Sequence, residues 1–210
     1  MNRAETLQHL AWLCRNGRTA VAPVIEASGW TELDAVLPGG GWQVGTIVEL
    51  MPAAIGIGEL RLLMPALARI TGAGRHVTLI APPYIPFAPA LSQRGVRLER
   101  LLVIQAQQPE DILWATEQSL RCRSFGAVLA WPAATIRDRE IRRLQLAAEA
   151  GGSTGFLYRS VDAAREASPA ALRLKLRRAD NNALQIDVLK CRGGRSGQSV
   201  KVAAPCSGCA

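Results

Sequence analysis

Histidine is nearly missing from this 210-residue chain, which has only His9 and His76. One lies in the N-terminal arm and the other opens an expected strand, so a histidine metal site or a nucleophile–histidine triad would lack its ligands. No G-x-S-x-G nucleophile motif occurs. Lysine is scarce too: Lys175, Lys190 and Lys201 stand beside 22 arginines. No apolar run reaches the roughly 20 residues that a membrane span needs. The nearest candidates, 60–70 and 126–134, are broken by arginine and proline. Residues 1–17 contain no signal-peptide hydrophobic stretch, so a cytoplasmic location without a membrane partner is expected. The five cysteines (Cys14, Cys122, Cys191, Cys206, Cys209) are odd in number and scattered. Cys206 and Cys209 form a CxxC with no second pair to complete four zinc ligands, so an inert, reduced tail without metal is expected.

Apolar residues make up 49% of the chain and charged residues 20%. This is enough for one ordinary domain with a real core, and it excludes wholesale disorder. The net charge is +8, concentrated late in the chain. Residues 173–210 hold eight basic groups against Asp180 and Asp187. Such a balance either solvates an exposed face or meets an anionic partner, nucleic acid or an acidic protein surface.

Residues 3–15 read as an amphipathic helix carrying Trp12, which either packs on a neighbouring core or covers the chain's own sheet. A second helix is expected over 30–37, stopped by Pro38-Gly39-Gly40-Gly41. Short apolar runs then alternate with helical ones. Strands are expected at 46–50, 76–81, 101–105, 127–131 and 154–159, and helices at 58–71, 87–94, 109–123 and 137–150. Near-continuous apolar strands between helices are the mark of a parallel sheet buried on both faces. The period then changes. Residues 171–178 alternate strictly, with leucines at 172, 174 and 176 and cations at 173, 175 and 177. A turn at Asp180-Asn181-Asn182 and renewed alternation over 184–190 complete an antiparallel hairpin with one solvated, cationic face. The expected division is an N-terminal helix and arm over 1–27, a core over 28–192 that includes the hairpin, and a flexible basic tail over 193–210.

The segment SGWTELDAVLPGGGWQVGTIVEL (28–50) resembles the entry to the core of the RecA/KaiC superfamily, with Leu33-Asp34, Gly39-Gly40-Gly41, Gly45, Ile47 and Glu49 in matching positions. Gly95-Val96 through Leu101-Leu102 is similar in spacing to the same core. PGGGW, GIGEL, PALAR, LAW, RRLQLAAE, SPAALRL and VLK-x-RGG resemble the RecA-like proteins called ImuA, or SulA-like proteins. The resemblance implies an α/β fold with a RecA-like, mostly parallel central sheet flanked by helices and a C-terminal antiparallel hairpin.

ATP chemistry on such a core needs a glycine-rich turn ending in Gly-Lys-Ser/Thr. Here Gly56 and Gly58 remain, either to offer N–H groups or simply to shape a strand-to-helix turn. Glu59 stands where the lysine belongs and Leu60 where the metal-binding hydroxyl belongs. A carboxylate inverts an attraction of about 4 kcal/mol at 4 Å, and leucine offers Mg²⁺ no oxygen. Pro83 stands at the water-polarising carboxylate position, and the fourth strand ends at Trp131 without an acid. The expectation is therefore no ATPase, no other enzyme and no cofactor. Asp138 and Glu140 read as intrahelical partners of Arg142 and Arg143.

Function is then expected on exposed features. Arg173, Lys175, Arg177, Arg178, Lys190, Arg192 and Arg195 are candidates for nucleic acid or an acidic partner. Trp12, Tyr84 and Phe87 are candidates for partner contact, the last two in the proline-rich segment 82–89, which otherwise serves as a rigid connector. The resemblance implies, first, an accessory factor of error-prone translesion synthesis. Its implied partners are an ImuB-like protein of Y-family type and an error-prone polymerase, with RecA and single-stranded DNA as further contacts. The alternatives are a SulA-like inhibitor of cell division binding the tubulin-like division protein, and a DNA-dependent ATPase of recombinase type.

Overall fold

A computed structural model describes residues 24–132 and 134–203. The first elements are β1 (Ile25–Glu26), α1 (Thr31–Asp34), β2 (Trp42–Gln43), β3 (Ile47–Pro52), α2 (Met64–Gly72) and β4 (His76–Ile80). Then come α3 (Ala88–Gln93), β5 (Leu101–Ile104), α4 (Pro109–Arg121), β6 (Phe125–Ala130) and α5 (Asp138–Gly151). The chain continues as β7 (Thr154–Tyr158), β8 (Leu172–Arg178), β9 (Leu184–Cys191) and β10 (Ser199–Val202). The main sheet has eight strands in the order β10-β9-β8-β3-β7-β6-β4-β5. From β8 to β5 every pairing is parallel, while β9 and β10 add antiparallel strands at the other end. The expected mixed α/β class, with a mostly parallel sheet flanked by helices and a terminal hairpin, is what forms.

Alternation along the strands divides the core between two layers. Val48, Leu50, Ala127 and Leu129 face α2, meeting Leu63, Leu67 and Ile70. Ile47, Val128 and Ala130 face α4 and α5, meeting Ile112, Leu120, Ile141 and Leu144. Pro109 pre-sets the first turn of α4, where Glu110 and Asp111 complement the helix dipole. α5 starts with the Arg137 N–H donating to Glu140 Oε2 at 2.8 Å, and ends at Gly152 in the left-handed conformation (φ 62°).

Three expectations need correction. The helix over 30–37 shrinks to α1, because the chain turns at Pro38–Gly40 to lay β2 against β1; a Cβ on Gly41 would lie 2.3 Å from the Glu26 carbonyl oxygen. The helix expected from 58 begins only at 64, after an open loop and a tight turn over Arg61–Leu63. The tail expected to be flexible contains β10, which pairs with β9 and buries Val202. The helix expected over 3–15, with Trp12, and the Cys206–Cys209 pair lie outside the described residues. Among the described residues no helix is long and apolar enough to cross a membrane.

Candidate functional site

The carboxyl ends of β3, β4, β6 and β7 open onto one surface. After β3 the chain turns through Gly56 (φ 83°) and Gly58 (φ 102°), a backbone region that favours glycine. The two glycine N–H groups converge on the loop's own Glu59: Gly56 donates to Oε1 at 2.9 Å and Gly58 to Oε2 at 3.0 Å. Glu59 is buried, and Leu60 packs against the core. Thus Gly56 and Gly58 do form a turn with convergent donors, and the anion those donors hold is internal.

Beside Glu59, Trp131 stacks on Tyr158 with ring centroids 4.3 Å apart and planes within 4°. The Tyr158 hydroxyl is buried, with no hydrogen-bond partner among the described residues. Burial, with the Glu59 charge, holds it well above the usual tyrosine range. Beside Glu59 and Trp131 lies a cleft of about 500 Å³, also walled by Ile55, Leu60, Pro82 and Pro86. Its rim is strongly apolar and exposed: Ile85 is 86% accessible, Tyr84 72%, Phe87 71% and Ile55 59%. An exposed apolar cluster of this kind, here within a proline-rich segment, is a surface feature that marks protein, membrane or ligand contact. Tyr84, one of the two contact candidates of this segment, lines the cleft, and Phe87, the other, is exposed just beyond it. Ile55, Ile85 and Trp131 join them unforeseen, although the apolar residue within the 82–89 proline run was a visible signal for Ile85.

The cationic candidates do not share one solvated face. Arg173 is buried, its Nε donating to Glu49 Oε2 at 2.6 Å. Glu49, fully buried, also accepts from Arg159 Nη1 at 2.8 Å and Ser168 Oγ at 2.9 Å. Segment 161–168 covers this side of β8, and its Ala163 and Glu166 carbonyls take the remaining Arg173 donors. Strict alternation correctly separated two faces but wrongly left the second to solvent. Arg177 is half-exposed and paired with Asp187 at 2.9 Å. Lys175 is half-buried, and Arg178 and Arg195 are exposed. Lys190 and Arg192 lie at the opposite end of the hairpin strands, donating to the Ser168 and Pro169 carbonyls. A single nucleic-acid face built from all seven is therefore not formed.

The acids of α5 also act differently from expectation. Glu140 caps its own helix, and Arg143 reaches across to Glu117 on α4 at 2.9 Å. Among the described residues no group of three or more His, Cys, Asp or Glu side chains is placed to hold a metal ion.

The result is a mostly parallel α/β domain with a self-filled loop and an apolar rim at its carboxyl end. Residues 46–155, from the start of β3 into β7, match the family model of the cell division inhibitor SulA. The chain is 28% identical over 106 residues to cell division inhibitor SulA of Pectobacterium atrosepticum, covering 50% of this chain and 63% of that one. It is 34% identical over 100 residues to the SulA of Edwardsiella piscicida, covering 47% and 58%. The aligned region thus spans less than two thirds of these relatives' length. The match over more than half of the chain places it in the SulA family. This overturns the ImuA assignment and, with it, the translesion-synthesis role and its expected partners, the ImuB-like protein, the error-prone polymerase, RecA and single-stranded DNA: the family that matches is one of division inhibitors.

Proposed function

We propose that this chain inhibits cell division by binding the tubulin-like division protein in the cytoplasm, and that it does so without catalysis. The observation that carries the reading is the exposed apolar rim at Ile55 and 84–87, beside a loop whose donors already hold Glu59. A partner's apolar side chains gain burial on that rim, at about 25 cal/mol per Å² removed from water. Nucleotide chemistry is disfavoured at the same place. A triphosphate would have to displace a buried carboxylate, and Leu60 and Pro83 supply neither a metal ligand nor a base. For the fold, β3 lying between β7 and β8 supports the finer expectation of a RecA-type sheet, independent of the ImuA assignment.

The test is overproduction in bacterial cells alongside co-sedimentation with the purified division protein. Filamentous cells without placed division rings are expected, and so is co-sedimentation. The variant Tyr84→Ser/Ile85→Ser/Phe87→Ser should abolish both while keeping the wild-type melting temperature, since all three side chains are exposed. Cells of normal length, or a variant as active as wild type, would overturn the reading. Turnover of ATP or stable binding of a labelled ATP analogue would overturn the non-catalytic part.

A further inference from the structure

At the end of the sheet opposite the apolar rim lies a second cleft of about 890 Å³, lined by Arg142, Gln145, Leu146, Pro169, Lys190 and Arg192. Its position follows from Gln145, whose side chain ties α5 to the beginning of β3 by accepting from the Ile47 N–H and donating to the Gly45 carbonyl. Three of the six lining residues are cationic and none is acidic. Lys190 Nζ donates to the Ser168 carbonyl at 2.6 Å and Arg192 Nη2 to the Pro169 carbonyl at 3.1 Å. These carbonyls hold the two cations in position and leave their charge unneutralised. Among the described residues no carboxylate lies within ion-pair distance of Arg142, Lys190 or Arg192. Glu49, a fully buried acid that acts on Lys190, is already shared by Arg159 and Arg173.

We infer that this cleft binds an acidic peptide segment of a partner protein, its carboxylates meeting Arg142, Lys190 and Arg192 and an apolar side chain meeting Leu146 and Pro169. Charge complementarity supplies the first half of the argument. Burial and the neighbouring charges of Arg192 and Arg173 lower the Lys190 pKa, outweighing the opposite pull of Glu49 and Asp138, so an arriving carboxylate relieves a net repulsion already present. Leu146 supplies the second half: it is 64% exposed at the cleft, an apolar contact that a phosphate chain does not use. Single-stranded nucleic acid is recognised by stacking its bases on aromatic rings, and no aromatic side chain among the described residues lines this cleft. The chain's own outlying segments lack the complementary charge. Residues 1–23 contain Glu5 alone among three arginines, and 204–210 contain no acidic side chain. The inference is independent of the division-inhibitor reading, because the two surfaces lie at opposite ends of the sheet.

Fluorescence anisotropy of the full chain with a labelled peptide of alternating Glu, Asp and Leu tests it. Binding should weaken with added salt, and the matching Gln/Asn/Leu peptide should not bind. Arg142→Ala and Arg192→Ala, both exposed positions, should each lower affinity about tenfold, equivalent to ~1.4 kcal/mol. Lys201→Ala, an equal loss of charge on β10, should leave affinity unchanged. Failure of the acidic peptide to bind overturns the inference. So does binding that survives Arg142→Ala and Arg192→Ala, or that falls equally with Lys201→Ala. A single-stranded oligonucleotide that binds more tightly than the peptide and is lost with the same two variants also overturns it, making the cleft a phosphate site.

Discussion

Replacing Glu49 by Gln keeps the shape of the side chain and removes the one charge that two buried arginines share. Glu49 is fully buried and accepts three hydrogen bonds at 2.6–2.9 Å. The side chains of Arg159 and Arg173 are 5% and 6% exposed. After the substitution Arg159 retains Glu166, a partner 52% exposed, and Arg173 retains only carbonyl acceptors and the Met51 sulfur. Each lost attraction amounts to about 4 kcal/mol at 4 Å and an effective dielectric of 20, offset in part by the desolvation that ionised Glu49 no longer suffers. Breaking a buried pair by removing one member costs about 3–5 kcal/mol in sum. With a urea slope near 2 kcal/mol per M, the unfolding midpoint should fall by roughly 1.5–2.5 M with the slope unchanged. The triple change Glu49→Leu/Arg159→Leu/Arg173→Met removes the three buried charges at once, leaves only the half-exposed Glu166, and should restore the midpoint to within about 0.5 M of wild type or raise it. A Glu49→Gln midpoint within about 0.5 M of wild type would refute the reasoning.

Two further predictions follow the same logic on smaller scales. Glu59→Ala frees the Gly56 and Gly58 donors to water; the loss of two charge-assisted bonds at a loop should cost about 1–2 kcal/mol, read in a thermal melt as a fall of roughly 3–6 °C. At Asp187, burial pushes the carboxyl up, but the Ser199 hydroxyl and Arg177 outweigh it and hold it below the usual carboxylate value. Its contribution is therefore complete above the unfolded value near 3.9 and is lost as pH falls through the lower folded value. Asp187→Asn should flatten that acid-side loss in urea midpoints compared between neutral and acidic pH, by under about 1 kcal/mol because Arg177 is half-exposed.

Much of the architecture was legible because local order and burial share a period. The near-continuous apolar strands TIVEL, HVTLI and AVLA had to be buried on both faces, and they became the centre of the parallel sheet. The 84–87 run was legible as exposed for a local reason as well: Pro82, Pro83 and Pro86 supply no N–H to a ladder, so the apolar residues between them cannot join the sheet. Glu59 was legible in identity, since its charge at that position already opposed a phosphate. The convergence of the Gly56 and Gly58 donors on it was left open, because either turn geometry satisfies the same glycines.

The sequence by itself determined the parallel strands and the helices between them to within a few residues, which faces of the strands are distinct, and that the loop after β3 carries a negative group. Only the tertiary structure decided what covers those faces. Arg173 alternates as a surface cation should, yet it is sealed because segment 161–168 folds over β8 and brings it to Glu49, 124 residues away along the chain. Lys190 and Arg192 meet Arg142 in one cleft only because β9 returns antiparallel to β8 and lies near α5. Periodicity records the local direction of a side chain, whereas its neighbours across the fold depend on how distant segments pack.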